Sequence, residues 1–274
     1  MTELAPALLV GLAAGLHSAT WGMYKDAPFE GFRWTTYFRS PVIAVLAALA
    51  LTHWSALDPS TAAGAVVLFG VTYGIERATL EIYKSFLRVE DQSKYTIPMQ
   101  FSFRGEVVES APLRLAAGAA YLAGGLAVVY LVHRLETWGA GLPPLLVVFL
   151  IGSAGGWISA FGGAWKDAPI EGFHTFKFFR SPFMSFMYGL AMAAFTRDFV
   201  FIFLGGIGYT VATIETYKTF FFPHRPRGKF QGKEVAHPAL LSWRRRFIPL
   251  YVLIWAGILA TAAAAMAGAR EGLI

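Results

Sequence analysis

Cysteine is absent from this chain of 274 residues, which excludes disulfides and thiolate metal sites. Charge is scarce too. Only 15% of the residues are Asp, Glu, Lys or Arg, against roughly a quarter in a typical soluble domain. There is no P-loop, no Gly-x-Ser-x-Gly, no histidine-based metal signature and no dinucleotide fingerprint. The start, Met1-Thr2-Glu3-Leu4, also lacks the basic stretch of a secretory signal, so the first apolar segment is expected to be a retained transmembrane helix.

Hydrophobic sequence fills the space. Apolar residues make up 56% of the chain, with 24 Phe and 8 Trp, and the mean hydropathy is +0.52. Apolar runs fall near 5–23, 41–56, 60–82, 113–133, 143–164, 182–196, 198–220 and 247–268. A helix needs about 20 residues to cross a bilayer, with tolerance for tilt. The runs at 41–56 and 182–196 are short, and either begin in the interface or stop before a full span. Paired glycines such as Gly11/Gly15, Gly70/Gly74, Gly152/Gly156 and Gly205/Gly208 predict close helix contacts.

One stretch occurs twice. Lys25-Asp26-Ala27-Pro28-Phe29-Glu30-Gly31-Phe32 returns as Lys166-Asp167-Ala168-Pro169-Ile170-Glu171-Gly172-Phe173, and Phe38-Arg39-Ser40-Pro41 returns as Phe179-Arg180-Ser181-Pro182. The offset is a constant 141, and 11 of the 17 positions are identical. A looser echo relates Glu81-x-Tyr83-Lys84 to Glu215-x-Tyr217-Lys218 at an offset of 134. Phe103-Arg104-Gly105 pairs with Phe230-Gln231-Gly232 at an offset of 127, so the loops have shortened while the motifs stayed.

Basic residues set the orientation. The segments after the first, third, fifth and seventh apolar runs hold 19 of the 23 Lys and Arg, and only Arg134, Arg197 and Arg270 lie on the other side. The expected fold is an all-α integral membrane protein with eight transmembrane helices. They form two tandem four-helix repeats in parallel orientation, 1–137 and 138–274, with short cytoplasmic interfacial helices. Both motif blocks would be cytoplasmic and both termini opposite, in what is read as a bacterial inner membrane. The loops 87–112 and 221–245, with Pro98, Pro223 and Pro226, are expected to be irregular.

Two accounts compete for the blocks. Asp26 and Glu30, like Asp167 and Glu171, are four apart, which on a helix puts both carboxylates on one face. Such a face suits Mg²⁺ together with phosphate oxygens. Lys25, Arg39 and Lys84, with Lys166, Arg180 and Lys218, would then bind the phosphate. The plainer account makes Asp26 an N-cap, Pro28 a first-turn residue, and Ser40-Pro41 and Ser181-Pro182 the starts of the following helices. Glu81 and Glu215 lie about one turn inside the membrane, where a carboxylate needs a partner. Arg77 is placed to serve Glu81; Lys25, Arg39, Lys166 or Arg180 would have to serve Glu215. Tyr83 and Tyr217 suit the interfacial aromatic belt. His17 and Glu76 have no like counterpart, since Ile158 and Thr210 stand there, and His17 is expected to pack between helices.

The order Lys-x-x-x-x-Glu-Gly-Phe is faintly similar to a stretch of phosphatidate cytidylyltransferases, over a small part of the chain. Asp-Ala-Pro stands where that family has Thr-Trp, and its metal-binding aspartates have no match, so the likeness assigns no family. Three functions remain open: binding or processing of a phosphorylated lipid or nucleotide-linked substrate, passage of an anion or small solute, and scaffolding. The partners expected are the lipid bilayer and a small anionic ligand. Arg244-Arg245-Arg246 reads as a headgroup and topology determinant, not a nucleic-acid site.

Overall fold

Two glycines close the helices that carry the blocks. Gly31 and Gly172 adopt φ of +80° and +81°, the left-handed conformation that glycine takes without steric cost. Their amides return to Ala27 and Ala168 at 2.9 and 3.0 Å. The computed structural model describes residues 4–139, 141–223, 228–269 and 271–274. The features placed at Met1–Glu3, Pro226 and Arg270 lie outside the described residues.

Among the described residues the regular structure is helical apart from one hairpin of two-residue strands, β1 (Ser102–Phe103) and β2 (Glu106–Val107). Four long helices come first: α1 (Leu4–Glu30), α2 (Trp34–Trp54), α3 (Ala62–Ile82) and α4 (Ala111–Trp138). After them come α5 (Pro144–Glu171), α6 (Thr175–Ala193), α7 (Phe199–Phe220), the short α8 (Ala239–Trp243) and α9 (Ile248–Ala267). Among the described residues, six helices are long and apolar enough to cross a membrane: α1, α2, α4, α5, α7 and the continuous stretch Ala239–Ala267. The other two long ones are α3, diluted by Glu76 and Arg77, and α6, which carries Lys177 and Arg180.

Helix boundaries depart from the capping account. Asp26 and Pro28 do not start a helix; they sit in the last turns of α1. Likewise, Ser40-Pro41 and Ser181-Pro182 lie inside α2 and α6, which begin upstream at Trp34 and Thr175. No separate interfacial helix therefore carries either block. Proline inside a helix strands the carbonyl four residues earlier. For Pro28 that carbonyl belongs to Tyr24, and the Arg244 guanidinium donates to it at 2.6 Å. Arg244 is accordingly buried, so only Arg245 and Arg246 of that basic run stay exposed.

Small residues set the helix contacts. A Cβ on Gly15 would lie 2.3 Å from the Pro41 Cα, and one on Gly156 2.3 Å from the Pro182 Cα. Between α3 and α7 the approach is closer still, since a Cβ on Gly208 would meet the Gly70 carbonyl at 1.9 Å. The core lies along this crossing, with Val67, Val71, Tyr73, Ile202 and Phe203 buried. At one end of the bundle the last turn of α4, the start of α7 and the C-terminus converge. The Glu136 carboxylate accepts from the Phe199 amide at 2.9 Å, and the Leu273 amide donates to the Ala193 carbonyl at 2.7 Å. Both blocks lie at the other end.

Gly208→Ala is expected to destabilise the fold by about 1–3 kcal/mol or more through overpacking, read as a lowered melting temperature in detergent. Gly124→Ala on the exposed α4, where a Cβ meets nothing within 4 Å, should be neutral or slightly stabilising.

Candidate functional site

Each carboxylate pair already holds a lysine. Lys229 donates to Asp26 and to Glu30, both at 2.9 Å. Lys177 is bound to Asp167 and, at 3.2 Å, to Glu171. The i, i+4 spacing therefore does place both carboxylates on one face, but the cation on that face comes from the protein. Among the described residues no group of three or more His, Cys, Asp or Glu is gathered to hold a metal. The repeat does not mark Lys177 or Lys229, because their counterparts in the other copy are Thr36 and Ser102. The one signal for them is the need of two adjacent carboxylates for a cation.

The two long loops lie across the blocks, each on the block of the other half. From the second loop, Phe230 stacks on Phe29 with centroids 4.4 Å apart, and the His237 amide donates to the Pro28 carbonyl at 2.9 Å. From the first, the Ser102 carbonyl accepts from the Trp165 indole at 3.1 Å, and Phe103 packs 5.6 Å from the Trp165 ring. A Cβ on Gly105 would touch Pro169 at 3.4 Å. The loops also bind one another, through Thr96 amide to Lys229 carbonyl at 2.7 Å and the Lys233 ammonium to the Ser93 carbonyl at 2.7 Å. Over their described residues they are mostly irregular apart from the hairpin and the short α8, and a π-helical turn, Tyr83–Leu87, leads into the first.

Glu215 and Glu81 both find cations. Lys25 reaches Glu215 at 3.3 Å across the two halves, and Lys218 reaches it at 3.1 Å. Arg77 reaches Glu81 at 2.8 Å. Arg39 lies 5.1 Å over the Tyr83 ring. Lys166 meets the Met99 sulfur at 3.8 Å. Lys84 sits in the turn after α3, where burial and the nearby Arg77 push its pKa down to about 8 against the opposing pull of Glu81.

A cleft of about 630 Å³ opens at the mouth of the second half. Lys25, Lys177, Arg180 and Lys218 face Asp167 and Glu171 there, with His174, Tyr217 and Gln231 on the walls. A narrower cavity of about 140 Å³ shares the Lys177, Arg180 and Lys218 lining and runs between α5, α6 and α7. So the structure gathers Lys25, Arg180, Lys218, Asp167 and Glu171 at the cleft, and Arg39, Lys84, Lys166, Asp26 and Glu30 are not among its lining. Deeper in the first half, His17 is fully buried, stacked on Tyr251 at 4.5 Å and bonded to the Tyr73 hydroxyl at 3.0 Å. That is the packing role expected of it.

Burial would lower the pKa of Lys229, but Asp26 and Glu30 beside it outweigh burial and hold it above the ordinary lysine value. A raised pKa contributes stability that is complete below about 10.4, the unfolded lysine value, and is lost as pH rises through the folded value. Lys229→Met should therefore cost about 3 kcal/mol at neutral pH, the low end for breaking a buried pair. The gap from wild type should close on alkaline titration, measured by melting against pH. A Lys229→Met/Asp26→Asn/Glu30→Gln variant should recover most of the loss.

Compared with known proteins, the chain matches no family model, no curated protein and no solved structure. Its function has to be read from the geometry of the mouth.

Proposed function

We propose that this is a polytopic membrane protein of two tandem four-helix repeats in parallel orientation, whose cytoplasmic mouth binds the phosphate group of a phosphorylated lipid or nucleotide-linked ligand. In this reading the polar α3 and α6 complete an eight-helix bundle, sheltered by their neighbours. The observation that carries it is the cleft in which four cations, Lys25, Lys177, Arg180 and Lys218, meet three carboxylates, Asp167, Glu171 and the Glu215 that Lys25 and Lys218 bind. The excess positive charge lies where water and headgroups both reach, and Arg180 offers the planar donor fork that suits phosphate oxygens. Lysine ammoniums supply the neutralising charge that Mg²⁺ was expected to bring. A metal at Asp167 and Glu171 would have to displace Lys177 first.

The transport reading draws on a different observation. Glu76 and His17 are fully buried inside the bundle, where ionisable groups commonly mark solute pathways. Their counterparts, Thr210 and Ile158, carry no charge, so the second half offers no matching step. The cleft is the better supported site.

Titration calorimetry of the full chain in zwitterionic nanodiscs tests this, with dioctanoyl phosphatidate, a nucleoside diphosphate and inorganic phosphate as probes. At least one should bind, and Arg180→Gln and Lys218→Gln should each weaken it about tenfold or more, the worth of a charged hydrogen bond. Arg245→Gln, exposed outside the cleft, should change nothing. Binding of none of the three, or equal binding by the cleft variants, would overturn the proposal.

A further inference from the structure

The two halves carry the same motifs but not the same space. In the first half, the region between α1, α2 and α3 is filled by its own side chains. Ser18 donates to Glu76 at 3.1 Å, and Arg77 reaches Ser18 at 3.4 Å and Glu81 at 2.8 Å. The Arg77 guanidinium lies 5.0 Å over the Trp21 ring, whose indole donates to the Tyr73 hydroxyl at 2.8 Å. Ser18, Trp21, Glu76 and Arg77 are all buried.

The counterparts in the second half are Ser159, Gly162, Thr210 and Val211. An indole has become a hydrogen, a carboxylate a hydroxyl, and a guanidinium an isopropyl group. Ser159 and Gly162 are exposed, and a Cβ on Gly162 would meet nothing within 4 Å. Of these positions Ser159, Thr210 and Val211 line the narrow cavity, whereas Gly162 is exposed outside its lining. Above it the contrast continues. Gly31 is covered by the His237 ring at 3.3 Å, whereas Gly172 has nothing within 4 Å of a Cβ. Loss of the Arg77 counterpart also frees Glu215 to pair with Lys25 and Lys218 at the cleft wall.

We infer that the second half alone holds the ligand, one per chain, and that the ligand is a phosphorylated amphiphile; the first half is a filled counterpart of the same site. This rests on the phosphate-binding reading of the cleft. The wide part, with its excess of cations, takes the phosphate. The narrow part shares Lys177, Arg180 and Lys218 with it, together with Asp167 and Glu215, and adds the apolar side chains of Ala160, Ala164, Phe178, Val211 and Ile214. Phosphate alone would use only the rim, while a molecule with an apolar portion attached to its phosphate removes both surfaces from water. The site also lies at the membrane boundary of the bundle, where such molecules are concentrated.

The test uses the full chain in zwitterionic nanodiscs, titrated separately with dioctanoyl phosphatidate and inorganic phosphate. Native mass spectrometry counts the bound ligand. The expected result is one phosphatidate per chain, bound at least tenfold more tightly than inorganic phosphate. Filling the narrow cavity, by Val211→Arg or separately by Gly163→Leu, should weaken phosphatidate at least tenfold, with the melting temperature of the Gly163 variant unchanged. Gly163 lines the cavity and a Cβ on it would meet nothing within 4 Å, so its variant answers even where Val211→Arg fails to fold. Two ligands per chain, or unchanged affinity in the filled variants, would overturn the single-site assignment while leaving the cleft standing through Arg180→Gln and Lys218→Gln. Equal affinity for inorganic phosphate would overturn the amphiphile class. Binding of neither probe would overturn the inference.

Discussion

A charge withdrawn from water at the end of an apolar bundle has to be neutralised by a neighbour, and that demand arranges the whole mouth of this protein. Asp26 and Glu30 draw Lys229 out of a distant loop, and Asp167 and Glu171 draw Lys177 from the next helix. Glu215 draws Lys25 across the two halves. The paired lysines Lys25, Lys177 and Lys218 then share with Arg180 the cleft beside α5, α6 and α7, where cations outnumber carboxylates by one.

Backbone chemistry supports the same arrangement. Pro28 strands the Tyr24 carbonyl, and Arg244 satisfies it while its guanidinium lies 4.2 Å over the Tyr24 ring. A residue placed just ahead of the last helix thereby fixes where that helix meets α1. On the inner side, glycine contacts let α3 and α7 approach until backbone meets backbone. That closeness brings the ends of α3 and α7, with Glu81 and Glu215, to a common face. Helix packing and charge pairing thus act on the same few turns.

Much of this was legible in the residues. The long apolar runs became helices, the paired glycines became contacts, and Arg77 and Lys25 serve Glu81 and Glu215 as spacing and charge suggest. What escaped has two physical causes. Proline read as a helix start because its missing amide is harmless there, yet it is tolerated inside α1 where a distant arginine takes up the stranded carbonyl. Sequence proximity contains no trace of that arginine. Lys177 and Lys229 escaped for another reason, because comparing two copies reveals only what both retain. The open cavity is made by positions where the copies differ, so the comparison that found the motifs concealed the space between them.

The crossing of the loops has a consequence for how the protein is made. Lys229 lies 199 positions beyond Glu30, so Asp26 and Glu30 leave the ribosome long before their cation does. Through most of translation the first half carries two carboxylates without the cation that the folded chain gives them. Its charge balance at that end is complete only after the second loop has been made and folds back.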